Sequence, residues 1–403
     1  MEVIEKALAS RPVDPPLSAR LQQRIARDFT PRWNELWGGK CILHGMPAGP
    51  NAVRLDGNDY LGITGHPDIV GAQLTALRKD NEFVIQSGAF LLGDHPTHAL
   101  EHELAQWVGK EDGFICQSGY AANTGLIQAI ADAQTPVYVD TMAHASLWEG
   151  VHAARATGHP FRHNDPVHLD RMMARHGPGL VIVDSVYSTT GALCPLREMI
   201  EVVERHGSMI LVDESHSLGT HGPQGAGLCA ELGLTDRVHF ITASLAKAFA
   251  GRAGFFTMPS AMRYYILSSS FPNIFSSCLL PHEIAGLAAT LQVVRGSDDA
   301  RRRLHATTAR VRACLSDLGY PIHQGSEPDT MALRDRLEEH GIFGAVFCAP
   351  ATSRNRSLVR LTLSASLTEA EICHVEQAAK AVAPLVKPWE WPIARRGRAQ
   401  AMD

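Results

Sequence analysis

The chain has 403 residues, of which 45% are hydrophobic and 20% charged, with a net charge of −5; that balance is ordinary for a globular protein and leaves room for one large domain and a smaller one. No long single-sign block argues for nucleic acid, and Arg395-Arg-Gly-Arg398 is a short solvated tail. The eight cysteines are scattered without a Cys-x-x-Cys pair, Glu2 and Glu5 stand where a signal peptide would be apolar, and no stretch of about eighteen apolar residues spans a membrane, so a reducing cytoplasm is expected.

Residues 1–54 read as an N-terminal arm, with a charged helix around Leu17 to Phe29 and Gly/Pro connections at Gly38-Gly39 and Pro47 to Pro50. Asn58-Asp-Tyr60 forms a polar turn. A helix is predicted from Thr97, with Leu100, Leu104, Trp107 and Val108 on one face. Gly113 to Cys116 is a strand that runs through Ser118-Gly119-Tyr120 into another helix. Such a turn is a plain serine cap, or a phosphate site built on free amides and the positive end of the helix.

Three short apolar runs follow, Pro136 to Asp140, Gly179 to Asp184 and Met209 to Val212. Each is continuous rather than alternating, the pattern of a parallel strand covered on both faces. The connecting helices are expected near 166–176 and at Leu196 to His206. The glycine-rich Leu218 to Gly227 lacks G-x-G-x-x-G between a strand and a helix, so it is a poor dinucleotide site. Beyond a strand at Val238 to Ile241, helices are predicted from Pro281 through Val294 and over 300–318. Strands at Ile342 to Phe347 and Leu358 to Leu363 then precede a helix opened by the capping box Thr368-x-x-Glu371.

The chemistry concentrates in two stretches. Lys247 lies in Thr-Ala-Ser-Leu-Ala-Lys-Ala-Phe-Ala-Gly, with no other lysine between Lys110 and Lys380. Apolar surroundings lower an amine's pKa, and the neutral amine is what attacks a carbonyl. About one βα unit upstream, Asp213 ends a strand and His216 follows three residues on. A lysine for an aldehyde, a carboxylate for a ring nitrogen and a donor for a phenolate oxygen together fit pyridoxal 5'-phosphate. The pattern Asp-x-x-His followed by Ser-Leu-Ala-Lys resembles the fold-type I pyridoxal-phosphate enzymes, and within them the α-oxoamine synthases, over residues 55 to 370. The wording Val-Asp-Ser-Val-Tyr-Ser-Thr-Thr-Gly is most similar to the quorum-sensing autoinducer synthases.

That resemblance implies an α/β transferase fold, with a large domain over 55–290 built on a mostly parallel seven-stranded sheet and a small C-terminal αβ domain over 291–403. It implies that Ser118, Gly119, Tyr120 and Ser244 hold the phosphate, His144 stacks on the ring, and Ser188 and His216 attend its hydroxyl. Ser276 or Ser277 would reach the cofactor of the neighbouring subunit in a homodimer. Arg360 would take the amino-acid carboxylate, with Asn58 and Tyr60 from the "N-Y-L-G" motif also at the substrate. Lys247, His144 and Asp213 are the implied catalytic residues. The implied reaction joins an acyl-CoA to a small α-amino acid, with loss of CoA and carbon dioxide, to an α-aminoketone that precedes an α-hydroxyketone signal. No metal is implied.

The chain departs from the family at Asp59 (an insertion), Thr189-Thr190, Ser215 and Ala365-Ser-Leu367. Those at Thr189-Thr190 and Leu367 suggest an amino acid other than glycine, such as 2-aminobutyrate, while the Asp59 insertion is one that some members share. Ala89 to Leu92 and Phe271 to Phe275 are expected to line an apolar acyl tunnel. Other readings are an 8-amino-7-oxononanoate synthase or 2-amino-3-ketobutyrate ligase, a hydrolase with a metal on Asp213, Glu214, His216 and His221, and a non-catalytic regulator of the same fold.

Overall fold

Continuous apolar runs became strands wherever helices cover both faces of the sheet. The computed structural model describes residues 15–40, 44–79, 85–91, 93–321, 325–352 and 356–391; Glu2, Glu5, Leu92 and the basic tail lie outside them. After β1 (Val53–Leu55) come β2 (Asp112–Cys116), β3 (Pro136–Asp140), β4 (Thr157–Phe161), β5 (Leu180–Asp184), β6 (Met209–Asp213), β7 (Phe240–Ser244) and β8 (Gly254–Met258). The last seven form one sheet of order β2-β8-β7-β6-β5-β3-β4, and only β8 runs against its neighbours. Along β5, Val181 and Val183 enter one core and Leu180 and Ile182 the other. Period-two alternation therefore vanishes, because both sides of the pleat are dry.

Helices Pro166–His176, Leu196–Arg205, Pro281–Arg295 and Asp298–Asp317 stand within a residue or two of their predicted bounds. Three strands were not foreseen: β1, β4 and β8. The edge strand β4 pairs only with β3 and contains Gly158 and Pro160, residues an edge tolerates and a central strand does not. Short β8 returns antiparallel from the turn that carries Lys247. Helices Pro67–Lys79 and Glu327–Glu339 were also missed.

A second sheet, β1-β9-β10, joins β9 (Ile342–Phe347) and β10 (Leu358–Arg360) to β1. Val53 pairs in parallel with Ile342, so the division expected at 54/55 falls inside a strand of this small sheet. The predicted strand Leu358 to Leu363 is paired only as far as Arg360. Tyr60, just beyond β1, packs against the large-sheet core and the small-sheet core together. Among the described residues no helix is long and apolar enough to cross a membrane.

Candidate active site

Parallel sheets place ligands at the carboxyl ends of their strands. Here Asp140, Asp184 and Asp213 end β3, β5 and β6, and Asp184 and Asp213 are registered partners. Beside them, β7 closes into the turn that holds Lys247. Leu245 N donates to Ala253 O at 2.9 Å and Ala250 N to Lys247 O at 2.8 Å, while Leu245, Ala248 and Phe249 are buried beneath. Lys247 itself is partly buried. Burial first, then the charge of Arg360, lowers its pKa, and nearby Asp213 opposes them. The arrangement favours a reactive amine.

The open N-terminus of helix Gly119–Ile130 meets this turn. Ser118 caps it, its Oγ accepting from Ala121 N at 3.1 Å, and the amides of the first turn are left for a ligand. Contact with the lysine strand is close. A Cβ on Gly119 would lie 2.5 Å from Ser244 Cβ, and one on Gly254 would lie 2.1 Å from Ser118 O. Ser244 Oγ accepts from Ala246 N at 3.3 Å, and the Tyr120 side chain is exposed.

Asp213 is 3% exposed. Its Oδ2 accepts from Asn123 Nδ2 at 2.7 Å and its Oδ1 from Ser215 N at 2.8 Å. Asn123 also donates to Ser146 Oγ at 2.9 Å. It was not singled out from the sequence; four positions beyond Gly119 in an ordinary helix, nothing local marks it. His144 caps helix Ala145–Ala153, its Nδ1 2.7 Å from Ser146 Oγ, and its backbone N donates to Asp184 Oδ2 at 3.1 Å. Burial, then the charges of Asp213 and Asp140, push the Asp184 carboxyl well above its usual range.

From the small-sheet side, Arg360 donates to Ser188 O at 3.0 Å and to Asn58 Oδ1 at 3.1 Å, and lies 4.7 Å above the Phe347 ring. Its Nε has no partner. Burial holds the guanidinium below its usual pKa, against a smaller opposing pull from Tyr60. A half-buried guanidinium with only neutral partners suits a planar carboxylate. Tyr60 Oη is 2.5 Å from His216 Nδ1. Lys247, Arg360 and His144 are all close enough to depress the His216 pKa beyond what burial does. Residues from separate stretches thus gather around His216.

Ser276 and Ser277 are placed differently. The Ser276 hydroxyl donates to Pro272 O, and the Ser277 carbonyl accepts from Gln117 beside the cap. No hydrogen bond joins either hydroxyl to Ser118, Gly119 or Ser244. Of the segments expected to form a tunnel, Phe90, Phe271 and Phe275 are exposed at 69%, 55% and 77% on the surface of this chain. A cleft of about 510 Å³ opens instead between Tyr60, Ser188, His216 and Arg360 on one side and Leu304, Val311 and Leu315 on the other.

The alternative metal set disperses. Glu214 turns away to accept from Cys229 N at 2.7 Å, and His221 lies 5.0 Å from the His305 ring. Among the described residues no group of three or more His, Cys, Asp or Glu side chains is placed to hold a metal ion. Glu214 Oε2 has no partner and lies against Gly227, whose φ is +103° and where a Cβ would sit 1.5 Å from that oxygen. Burial pushes the Glu214 carboxyl from 4.5 to about 7. The native state therefore holds this proton more tightly than the unfolded chain, so its contribution to stability is full below about 4.5 and declines as pH rises towards 7. Glu214→Gln is expected to remove that decline in Tm measured from about pH 5 to about pH 8; an unaltered slope would refute the assignment.

An amine at Lys247, a buried carboxylate at Asp213 oriented by two donors, and an open helix N-terminus form the donor set that pyridoxal phosphate requires. The family model for aminotransferase class I and II matches residues 50–378. The CAI-1 autoinducer synthase of Vibrio campbellii is 41% identical over 377 residues, covering 91% of this chain and 96% of its own. The 8-amino-7-oxononanoate synthase of Anaeromyxobacter sp. (strain K) is 35% identical, covering 84% and 88%. A serine palmitoyltransferase (SPT) structure solved with pyridoxal phosphate superposes with a TM-score of 0.83 at 25% identity, covering 93% of this chain and 100% of that one. The chain therefore belongs to the class I and II aminotransferase family, as a pyridoxal-phosphate-dependent acyltransferase of the α-oxoamine synthase type.

Proposed function

We propose that this enzyme condenses a medium- or long-chain acyl-CoA with a small α-amino acid, of the 2-aminobutyrate kind, and releases CoA and carbon dioxide to leave an α-aminoketone. The observation that carries the reading is Arg360: a half-buried guanidinium held by two neutral oxygens, its Nε without a partner, lining the same cleft as His216. Similarity to the CAI-1 autoinducer synthase supports the further step, that the aminoketone is the precursor of a hydroxyketone signal made in the cytoplasm.

In this reading Arg360, held by Asn58, binds the amino-acid carboxylate. Lys247 would hold the cofactor aldehyde, and its amine is the base placed to take the α-proton. Bound pyridoxal phosphate supplies the electron sink at the α-carbon. Asp213 keeps the ring nitrogen protonated, Ser118, Gly119, Tyr120 and Ser244 bind phosphate, His144 covers the ring, and Ser188 and His216 attend its hydroxyl. The working unit is a homodimer. Exposed Ile85, Phe90, Phe271 and Phe275 form the apolar surface that a second copy covers, and the same contact brings Ser276 and Ser277 towards the partner's cofactor. The arm over 1–54, the large domain over 55–290 and the small domain over 291–403 remain the proposed division, with β1 lent to the small sheet.

Kinetics with an amino-acid and acyl-CoA panel, with products read by mass, tests the reading. Arg360→Ala should raise the amino-acid KM about a hundredfold with a smaller change in kcat, the scale of losing two charge-assisted hydrogen bonds. The acyl chain is assigned to the apolar cleft beside Leu304 and Val311. At about 0.8 kcal/mol per buried methylene, kcat/KM should rise roughly fourfold per carbon until the cleft is full. A flat profile, or one highest with acetyl-CoA, would replace this reading with a short-chain aminoketone ligase.

A further inference from the structure

The contact between Tyr60 and His216 assigns a role that substrate binding does not explain. Oη and Nδ1 lie 2.5 Å apart, within hydrogen-bond distance. The two rings are tilted by 49° with centroids 6.0 Å apart. Tyr60 is held firmly: its N donates to Asn58 O at 2.9 Å, its O accepts from Ala365 N at 2.8 Å, and its ring packs against both cores.

The direction of the bond follows from the neighbours. The imidazole is faced by Lys247 from the β7–β8 turn, Arg360 from β10 and His144 from a helix cap. Burial first, and then these neighbours, disfavour its charged form and keep it neutral, while burial pushes the Tyr60 phenol up to about 12. Both partners are thus uncharged, and the phenol has a single proton to give. If Nδ1 carried the ring proton, the phenol would need a second acceptor, and none is found among the described residues. With the phenol donating, the imidazole proton sits on Nε2, which likewise has no protein partner among the described residues.

We propose that Tyr60 is a positioning residue that donates to Nδ1 and holds His216 as its Nε2–H tautomer, the donor required by the phenolate oxygen of pyridoxal phosphate. The second half rests on the cofactor reading given above; the tautomer does not. The opposite tautomer would turn a lone pair towards that oxygen, so Tyr60 fixes chemistry at the cofactor without touching it.

The test is nitrogen-15 NMR on full-length protein labelled at histidine, with and without pyridoxal phosphate, the His216 signals being identified by their loss in His216→Gln. Wild type should show an unprotonated Nδ1 and a protonated Nε2 even before cofactor is added. In Tyr60→Phe the two signals should converge as the tautomers mix. Turnover should fall about tenfold, as when an orienting partner is removed, with little change in amino-acid KM. A protonated Nδ1 in wild type overturns the proposal, and needs no variant to be seen. So does Tyr60→Phe with an unshifted tautomer and a raised KM, which would make Tyr60 a substrate contact. If wild type takes up no pyridoxal phosphate, the cofactor half falls, and the signals of the cofactor-free protein still decide the tautomer.

Discussion

Lys247→Ala is expected to be colourless when mixed with pyridoxal phosphate, where wild type turns yellow, and to lose at least about a thousandfold in turnover. The substitution removes both the amine that holds the aldehyde and the base that takes the α-proton, and a positioned base alone contributes about a hundred- to ten-thousandfold. The fold should survive. The turn around Lys247 is tied by backbone bonds, Leu245 N to Ala253 O and Ala250 N to Lys247 O, and its anchors Leu245, Ala248 and Phe249 are untouched. Absorbance, turnover and circular dichroism on one preparation check all three statements. A variant that keeps both colour and activity would place the reactive amine elsewhere.

Asp213→Asn is the second large effect. Both carboxylate oxygens accept, one from Asn123 Nδ2 and the other from Ser215 N, so an amide must turn its NH₂ towards one of those donors. A buried donor without an acceptor costs about 1–3 kcal/mol, which should appear as a modest loss of Tm. The catalytic loss should be larger, about a hundredfold or more, as for removal of one preorganised charge partner from an active site. Cofactor should still bind, because the proposed phosphate site at Ser118 and Ser244 is separate. Full occupancy with near-normal kcat would reject the charge role. Asn123→Ala, which removes one orienting donor and keeps the charge, should fall between wild type and Asp213→Asn.

Lys247, Asp213 and His216 were legible in the linear chain because each is announced locally. Short apolar runs end in a polar residue at the carboxyl end of a strand, and parallel strands covered on both faces cannot hide such a change of composition. Ser118 and Gly119 were legible as a strand–turn–helix junction. Helices Pro166–His176 and Pro281–Arg295, which begin with a proline, were legible to within a residue or two, whereas Pro67–Lys79, which also does, was not. These signals depend on neighbours in sequence, so the sequence by itself determined the class of fold and the family, and it named Lys247 as the proposed reactive amine.

The rest is set by long-range contacts, which no local pattern encodes. Tyr60 meets His216 across 156 residues and Asn123 meets Asp213 across 90. Arg360 joins Asn58 across 302 and the Ser188 carbonyl across 172. β1 leaves the chain around it to pair with β9, which is why a boundary drawn along the sequence cut a strand. Glu214, adjacent to Asp213, points to the opposite side, because successive residues leaving a strand alternate in direction, and its carboxyl is buried against Gly227. The phenylalanines taken for a tunnel lie on the surface, while the apolar cleft is built from a helix some thirty residues further along. Hydrophobicity states that a side chain leaves water; only tertiary packing decides which cavity, core or neighbouring surface receives it.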